Sequence, residues 1–333
     1  MPIRRHFRAA LVATLLTLNG ACAAAASLVF VTNQDEASLS VIDTASDTVV
    51  DTITVGFAPA AIAASRDGGT LFITHPEEGS VSVVDAATRK VVRTLSVGGT
   101  PFGIAVGHEG RLFIGDWHDN VVTVIDPRTG ERVRRIPVGR SPAGIVTSPA
   151  GALIFVANRE SNSLSVLNAR TYSVVATLPV GKAPFALAVS PDATRVYVAN
   201  VQSADLSVLS TKTLQPLARV KVGAMPYGVA TSRDGARILV ANQSAGTVSV
   251  LDRDSLEIVD THKVGRFPEG MAVEPHGAKG YVANWFSGDV SVIDAATGAE
   301  LKRIKTGGGS RALVIVHGVE QASTGPAPGG TGE

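Results

Sequence analysis

Short apolar runs alternate with turn residues along the whole chain, and the alternation itself repeats. A valine-glycine step followed three residues on by proline occurs at Gly56/Pro59, Gly98/Pro101, Gly139/Pro142, Gly181/Pro184, Gly223/Pro226 and Gly265/Pro268. Successive prolines lie 42, 41, 42, 42 and 42 residues apart, and a further 42 reaches Ser310 in a degenerate seventh copy after Gly307. Two more registers keep the same step. Phrases of the F/Y/L-x-x-N type align Asn33, His75, Asp116, Asn158, Asn200, Asn242 and Asn284, and "SVID"-like phrases end at Asp43, Asp85, Asp126, Asn168, Ser210, Asp252 and Asp294. Three markers sharing one period establish an internal repeat, which decides the architecture before any single residue does.

Each unit contains four β-prone runs bounded by turn residues. In the fourth they are Ala143 to Ser148, Leu153 to Asn158, Ser163 to Asn168 and Ser173 to Val180. Small residues dominate the first run, as a strand near a crowded axis requires. Turn chemistry such as Pro191-Asp192 and Arg233-Asp234-Gly235 separates the first run from the second. No segment carries helical periodicity. The pattern predicts an all-β fold, a seven-bladed β-propeller of four-stranded antiparallel blades. The repeat begins with a second strand, Leu28 to Asn33, and ends with a lone first strand, Arg311 to Val316. Ring closure is therefore expected by pairing the C-terminal innermost strand with the N-terminal strands, which removes two sheet edges.

The ends carry different signals. Arg4, Arg5 and Arg8 precede ten apolar or small residues, Ala9 to Leu18, and then a run of alanines to Ala26. This is the pattern of an export signal at 1–26, too short for the roughly 20 residues of a membrane span. Propeller is expected over 27–317 and a disordered Gly/Pro-rich tail over 318–333. Cleavage would leave 27 basic and 29 acidic residues, so a strongly basic nucleic-acid binder is excluded. Cys22, the one cysteine, lies in the leader; it is either removed or, as a lipoprotein-like acceptor, the site of a lipid anchor. Without it the mature chain has neither disulfides nor a C-x-x-C-H haem attachment. The expected location is the periplasm or the outside of the cell, as a monomer.

At this point the residues resemble a known family. "YVAN" at Tyr197 to Asn200 and Tyr281 to Asn284, followed by "SVIDAATG" at Ser291 to Gly298, is similar to the YVTN-repeat β-propellers, and the whole-chain pattern looks like their exported YncE-type members. The resemblance covers about 290 residues, is specific for fold and weakly specific for function. It implies relatives that bind single-stranded DNA, build surface layers, serve quinone or haem enzymes, or act as lactonase- or lyase-like propellers.

In a propeller the loops joining fourth to first strands and second to third strands open on one face, and binding residues concentrate on such loops. The slot after each anchor proline holds Ala60, Phe102, Ala143, Phe185, Tyr227, Glu269 and Arg311 around the tunnel mouth. Glu269 and Arg311 fall on neighbouring blades once the ring closes, so an ion pair is expected, either as a closing contact or as part of a site. The aromatic residues either plug the tunnel or line a ligand. A second ring holds Gln34, Pro76, Trp117, Arg159, Val201, Gln243 and Trp285, so both tryptophans share one column; Trp117-His118 and Trp285-Phe286 interrupt an otherwise polar loop. The expected ligand-binding set is Phe102, Trp117, His118, Phe185, Tyr227, Glu269, Trp285, Phe286 and Arg311.

The repeated asparagines read as architecture, since such side chains satisfy backbone groups of loops. His75 and Asp116 replace them on adjacent blades, with His118 nearby, and two His with a carboxylate are chemistry for a divalent metal. His108, His262 and His276 read as solvated or structural.

No catalytic motif is present, neither G-x-S-x-G nor H-E-x-x-H. The face carries Arg140, Arg159, Lys182, Arg266 and Arg311 among a larger number of acids, which does not favour nonspecific single-stranded DNA. The expected function is a noncatalytic binding or interaction propeller acting on a small ligand, a periplasmic protein or, through the resemblance, single-stranded nucleic acid. Two alternatives stand beside it: an accessory of a quinone or haem redox system with the cofactor held noncovalently, and a lyase or lactonase with a metal near His75 and His118.

Overall fold

The computed structural model describes residues 27–275 and 277–318; the expected export signal with Cys22, His276 and the tail beyond Gly318 lie outside the described residues. Seven four-stranded antiparallel sheets stand around one axis. Blade 4 has strands Pro142–Thr147, Leu153–Asn158, Ser163–Asn168 and Ser173–Pro179, within a residue of the expected bounds. Blades 2 to 7 each run from an inner strand outward. Blade 1 is built from both ends of the described chain: Ser310–Val316 is innermost and pairs antiparallel with Leu28–Asn33, Leu28 opposite Val316 and Val31 opposite Leu313. The expected closure is the observed one.

The second strands explain the ring. Leu-Val-Phe-Val in blade 1 and Leu-Ile-Phe-Val in blade 4 do not alternate, because one face of each strand packs on the preceding blade and the other on the following one. Phe113, Val122 and Ile136 of blade 3 share a core with Ile154, Val156 and Leu167 of blade 4. Val29 and Val31 of blade 1 share another with Tyr281, Val290 and Val292 of blade 7. Each such side chain contributes about 1.5–3 kcal/mol on burial. Third strands place their serines toward the tunnel-face loops, and outer strands are mostly exposed.

Turns follow the expected chemistry. The carboxylate of Asp43 accepts from the backbone N–H groups of Ala45 and Ser46, and Asp294 does the same for Ala296 and Thr297. Among the described residues helix is confined to three single 3-10 turns, and no helix is long and apolar enough to cross a membrane.

Candidate functional site at the tunnel mouth

The repeat phrases are a lock between two loops. In blade 4 the buried Asn158 donates through Nδ2 to Ser163 Oγ (3.0 Å) and Ser165 Oγ (2.9 Å). Equivalent pairs hold Asn33, Asn200, Asn242 and Asn284. The partners are third-strand side chains, not the loop backbone that the sequence suggested. The recurring spacing to glycine has a steric cause: a Cβ on Gly139 would lie 2.6 Å from Asn158 Cβ and 2.7 Å from its Cγ. In every blade but the second, where Pro76 has no N–H, the residue after this column position donates its backbone N–H to the carbonyl just before the anchor position of its own blade, as Trp117 does to Thr100 (3.0 Å), Trp285 to Phe267 (2.9 Å) and Gln34 to Gly309 (3.0 Å). This zipping brings the two expected rings of residues onto one face.

From Arg311 round to Phe185, large residues alternate with Ala60 and Ala143 and meet across them, whereas Phe185, Tyr227, Glu269 and Arg311 follow one another directly. Phe102 of blade 3 reaches over Ala143 to Phe185 of blade 5, with ring centroids 5.8 Å apart and nearly perpendicular. Phe185 lies 4.1 Å from Tyr227. On the other side Arg311 passes over Ala60, and its guanidinium sits 5.1 Å from the Phe102 ring centroid. Trp117 packs on Phe102 at 4.8 Å, with Arg159 at 6.0 Å from the Trp117 ring. The result is a continuous stack, Arg159–Trp117–Phe102–Phe185–Tyr227, over a tunnel cavity of about 230 Å³.

Glu269 and Arg311 do pair, Oε2 to Nε at 3.3 Å. Glu269 is only 7 % exposed. Its Oε1 accepts from Gln243 Nε2 (2.7 Å), while Oε2 accepts no hydrogen bond although Arg311 is near. Burial pushes the Glu269 carboxyl above its ordinary value, with Arg311 and Gln243 opposing. Burial, and next the Glu269 charge, push the Tyr227 phenol up as well, against the pull of Arg311. Gln34 Oε1 accepts from both Arg311 Nη1 (3.0 Å) and Trp285 Nε1 (3.1 Å), tying the second tryptophan to the inner ring. Phe286 and His118 lie farther out: Phe286 faces the loop beneath it, and His118 Nδ1 shares a hydrogen bond with Thr100 Oγ1 (2.9 Å).

The three residues with metal chemistry are engaged separately. His75 is fully buried and takes the place of the repeat asparagine, with Nε2 on Ser82 Oγ (2.9 Å) and Nδ1 on the Phe57 carbonyl (3.2 Å). Burial holds its pKa below the usual value, so the ring is neutral. Asp116 Oδ1 accepts from the backbone N–H groups of His118 and Asp119. Among the described residues no three His, Cys, Asp or Glu are arranged to hold a metal ion.

Three features of the face escaped the sequence reading. Phe267 and Met225, just before two anchor prolines, are exposed and adopt left-handed backbone. Phe57 stands exposed on the loop into blade 2. Lys221, Lys263 and Lys305, at the ends of outer strands, curl onto the face and bond the carbonyls of Ser203, Ala245 and Ser287. The column before the proline would have revealed Phe267; the lysines needed the reach of their stems.

A larger cavity, about 750 Å³, opens on the opposite face between blades 2, 3 and 4, where His108 and Arg128 line it. Of its charged residues, Asp67 accepts from Ser65 and Gly69 and Arg128 pairs with Asp126, while Arg66 is exposed without an ion pair among the described residues. Its lining holds no aromatic stack. Size alone does not outweigh that, and the tunnel mouth is the better candidate.

Comparison with known proteins agrees with this architecture. Residues 17–111 match the family model of YNCE-like beta-propellers, and residues 128–213 match that of the lactonase-type 7-bladed beta-propellers. The second match contains neither His75 nor His118. No curated protein matches the chain. Among solved structures, hydrazine synthase of Kuenenia stuttgartiensis is 23% identical, with a TM-score of 0.72 over 80% of this chain and 92% of its own. A functionally unknown protein of Desulfotomaculum acetoxidans is 17% identical, TM-score 0.76, over 87% and 99%. The dihydro-heme d1 dehydrogenase NirN, in complex with DHE, is 18% identical, TM-score 0.66, over 84% of this chain; the match spans 63% of the NirN chain. At these identities the likeness is one of fold.

Proposed function

We propose that this seven-bladed propeller, whose residues 17–111 match the YNCE-like family model, is an exported, noncatalytic binding module whose ligand sits at the tunnel mouth. The observation that supports this reading is the stack of Trp117, Phe102, Phe185 and Tyr227, flanked by two guanidiniums, one of them held by the buried Glu269 carboxylate. Apolar walls with a few convergent polar groups are the usual make-up of small-molecule sites. The aromatic rings supply contact area, and Arg311, fixed by Glu269 and Gln34, supplies orientation. The cavity of about 230 Å³ is smaller than the about 300–1,000 Å³ of sites that enclose drug-sized molecules. A ligand therefore lies on the mouth with only part of it inside.

A second reading is an accessory role beside a haem or quinone redox system. What favours it is that two solved structures sharing the fold are, by name, a hydrazine synthase and a heme d1 dehydrogenase. Haem and menaquinone titrations separate the two. A spectral shift that saturates at one equivalent and is lost in Phe185→Ala supports the redox reading. Ligand retention without any haem or quinone response supports the first.

A further inference from the structure

The junction of blades 6, 7 and 1 carries a second surface that the tunnel-mouth reading does not use. Phe286 is 53 % exposed and Phe267 39 % exposed, yet their rings stack at 5.6 Å with an interplanar angle of 32°. Arg266 lies over Phe286 at 4.1 Å. In the other six blades the Phe286 position holds Asp35, Glu77, His118, Glu160, Gln202 and Ser244, and the Phe267 position holds Ala58, Thr100, Ser141, Ala183, Met225 and Gly309. Both positions become phenylalanine at one junction. A repeat that turns apolar in two facing columns at once, and leaves both rings in water, is not serving its core.

Phe267 has φ of 55°, and the equivalent Ala58, Ser141, Ala183 and Met225 share the left-handed region, so the conformation belongs to the repeat and fixes where the Phe267 ring is presented. The loop holding it is rigid: the Trp285 and Phe286 N–H groups donate to the Phe267 and Arg266 carbonyls, and Arg266 N–H donates to Ser287 Oγ (3.1 Å). Two grooves flank the stack. One, about 350 Å³, is lined by Lys263, Arg266 and Phe267; the other, about 280 Å³, by Trp285, Phe286 and Lys305, with Asp35 on its far wall. Lys263 and Lys305 bond loop carbonyls, and neither they nor Arg266 form an ion pair with a carboxylate among the described residues. Exposed aromatic rings beside arginine, pre-organised on a rigid loop, are the composition of interface hot spots.

We propose that this junction is a docking surface for a partner protein, and that it takes an acidic segment bearing an aromatic or leucine anchor. The anchor packs on the Phe267–Phe286 stack, and carboxylates on either side meet Arg266, Lys263 and Lys305. The matching of three unpaired cations is what selects an acidic partner over a neutral or basic one.

The test is selection of phage-displayed random decapeptides on the full chain, followed by fluorescence anisotropy of the enriched peptides. The expected sequences place an aromatic residue or leucine among two or more Asp or Glu. Affinity is expected to fall at least 10-fold in Phe286→Ser and in Arg266→Glu, and to stay unchanged in the tunnel-mouth variant Arg311→Met. Phe267→Gly is expected to weaken binding while raising the melting temperature, since glycine relaxes the left-handed backbone, a combination that a purely structural stack would not give. No enrichment, enrichment of basic or uncharged sequences, or affinities indifferent to Phe286→Ser would overturn the proposal. So would an oligonucleotide such as dT12 binding the patch in place of the peptides.

Discussion

Replacing Gly139 by alanine tests the loop lock on which the whole face depends. Gly139 does not have a positive φ, so the backbone alone would accept alanine. The obstacle is Asn158, whose Cβ and Cγ would stand 2.6 and 2.7 Å from the new methyl group. Overpacking of this kind costs about 1–3 kcal/mol. Displacing the asparagine also weakens its bonds to Ser163 and Ser165, worth about 0.5–1.5 kcal/mol each. The lost flexibility of the unfolded chain returns about 0.4–1 kcal/mol. A net loss of about 2–4 kcal/mol is expected for Gly139→Ala. Asn158→Ala alone should cost about 2–3 kcal/mol through its two hydrogen bonds and the space it leaves. In the double variant the alanine methyl enters that space, so the cost should stay near that of Asn158→Ala alone. Urea unfolding followed by tryptophan fluorescence measures the cycle. A coupling of about 2 kcal/mol or more supports the lock; additivity within about 0.5 kcal/mol would refute the steric argument.

Three further outcomes follow from the same structure. Burial lowers the His75 pKa, so the unfolded chain takes up this proton more readily than the folded one; stability should be lost as pH falls through 6.5, and His75→Asn should remove that slope in denaturant midpoints taken from pH 7.5 to 5; an unchanged slope contradicts the lowered pKa. Glu269, raised by burial, binds its proton more tightly folded than unfolded. The stability of the native protein relative to Glu269→Gln should therefore decline as pH rises above about 4.5, whereas a relative gain would mean that Arg311 outweighs burial. Trp117→Ala should abolish small-ligand binding by at least 10-fold with little change in melting temperature, because the ring lies on the mouth and outside the core clusters; equal loss of folding and binding would assign it a structural role.

The fold was legible because it is written seven times. A step of 42 residues, two further registers and a split first blade were enough for blade number, strand bounds and closure. The tunnel-mouth residues were legible for the same reason, since a column of equivalent slots exposes its own exceptions, Phe102, Phe185, Tyr227, Glu269 and Arg311. What the columns did not convey was side-chain reach and partner choice. His75 stood out as a departure, but its role as a stand-in for asparagine depends on burial against Ser82, which no spacing encodes. Lys263 and Lys305 belong by sequence to outer strands and by contact to the face. Phe267 was hidden beside the proline that drew the eye, in a position where left-handed backbone is the rule of the repeat.

Affinity-selection mass spectrometry of a small-molecule extract from the source cells, against the full chain and its Arg311→Met and Phe185→Ala variants, bears most directly on the central claim. The account expects at least one compound to be retained unchanged by the native protein and released by both variants. Retention that ignores the two substitutions, conversion of the retained compound into a product, or no retained compound at all would contradict a noncatalytic binding site at the tunnel mouth.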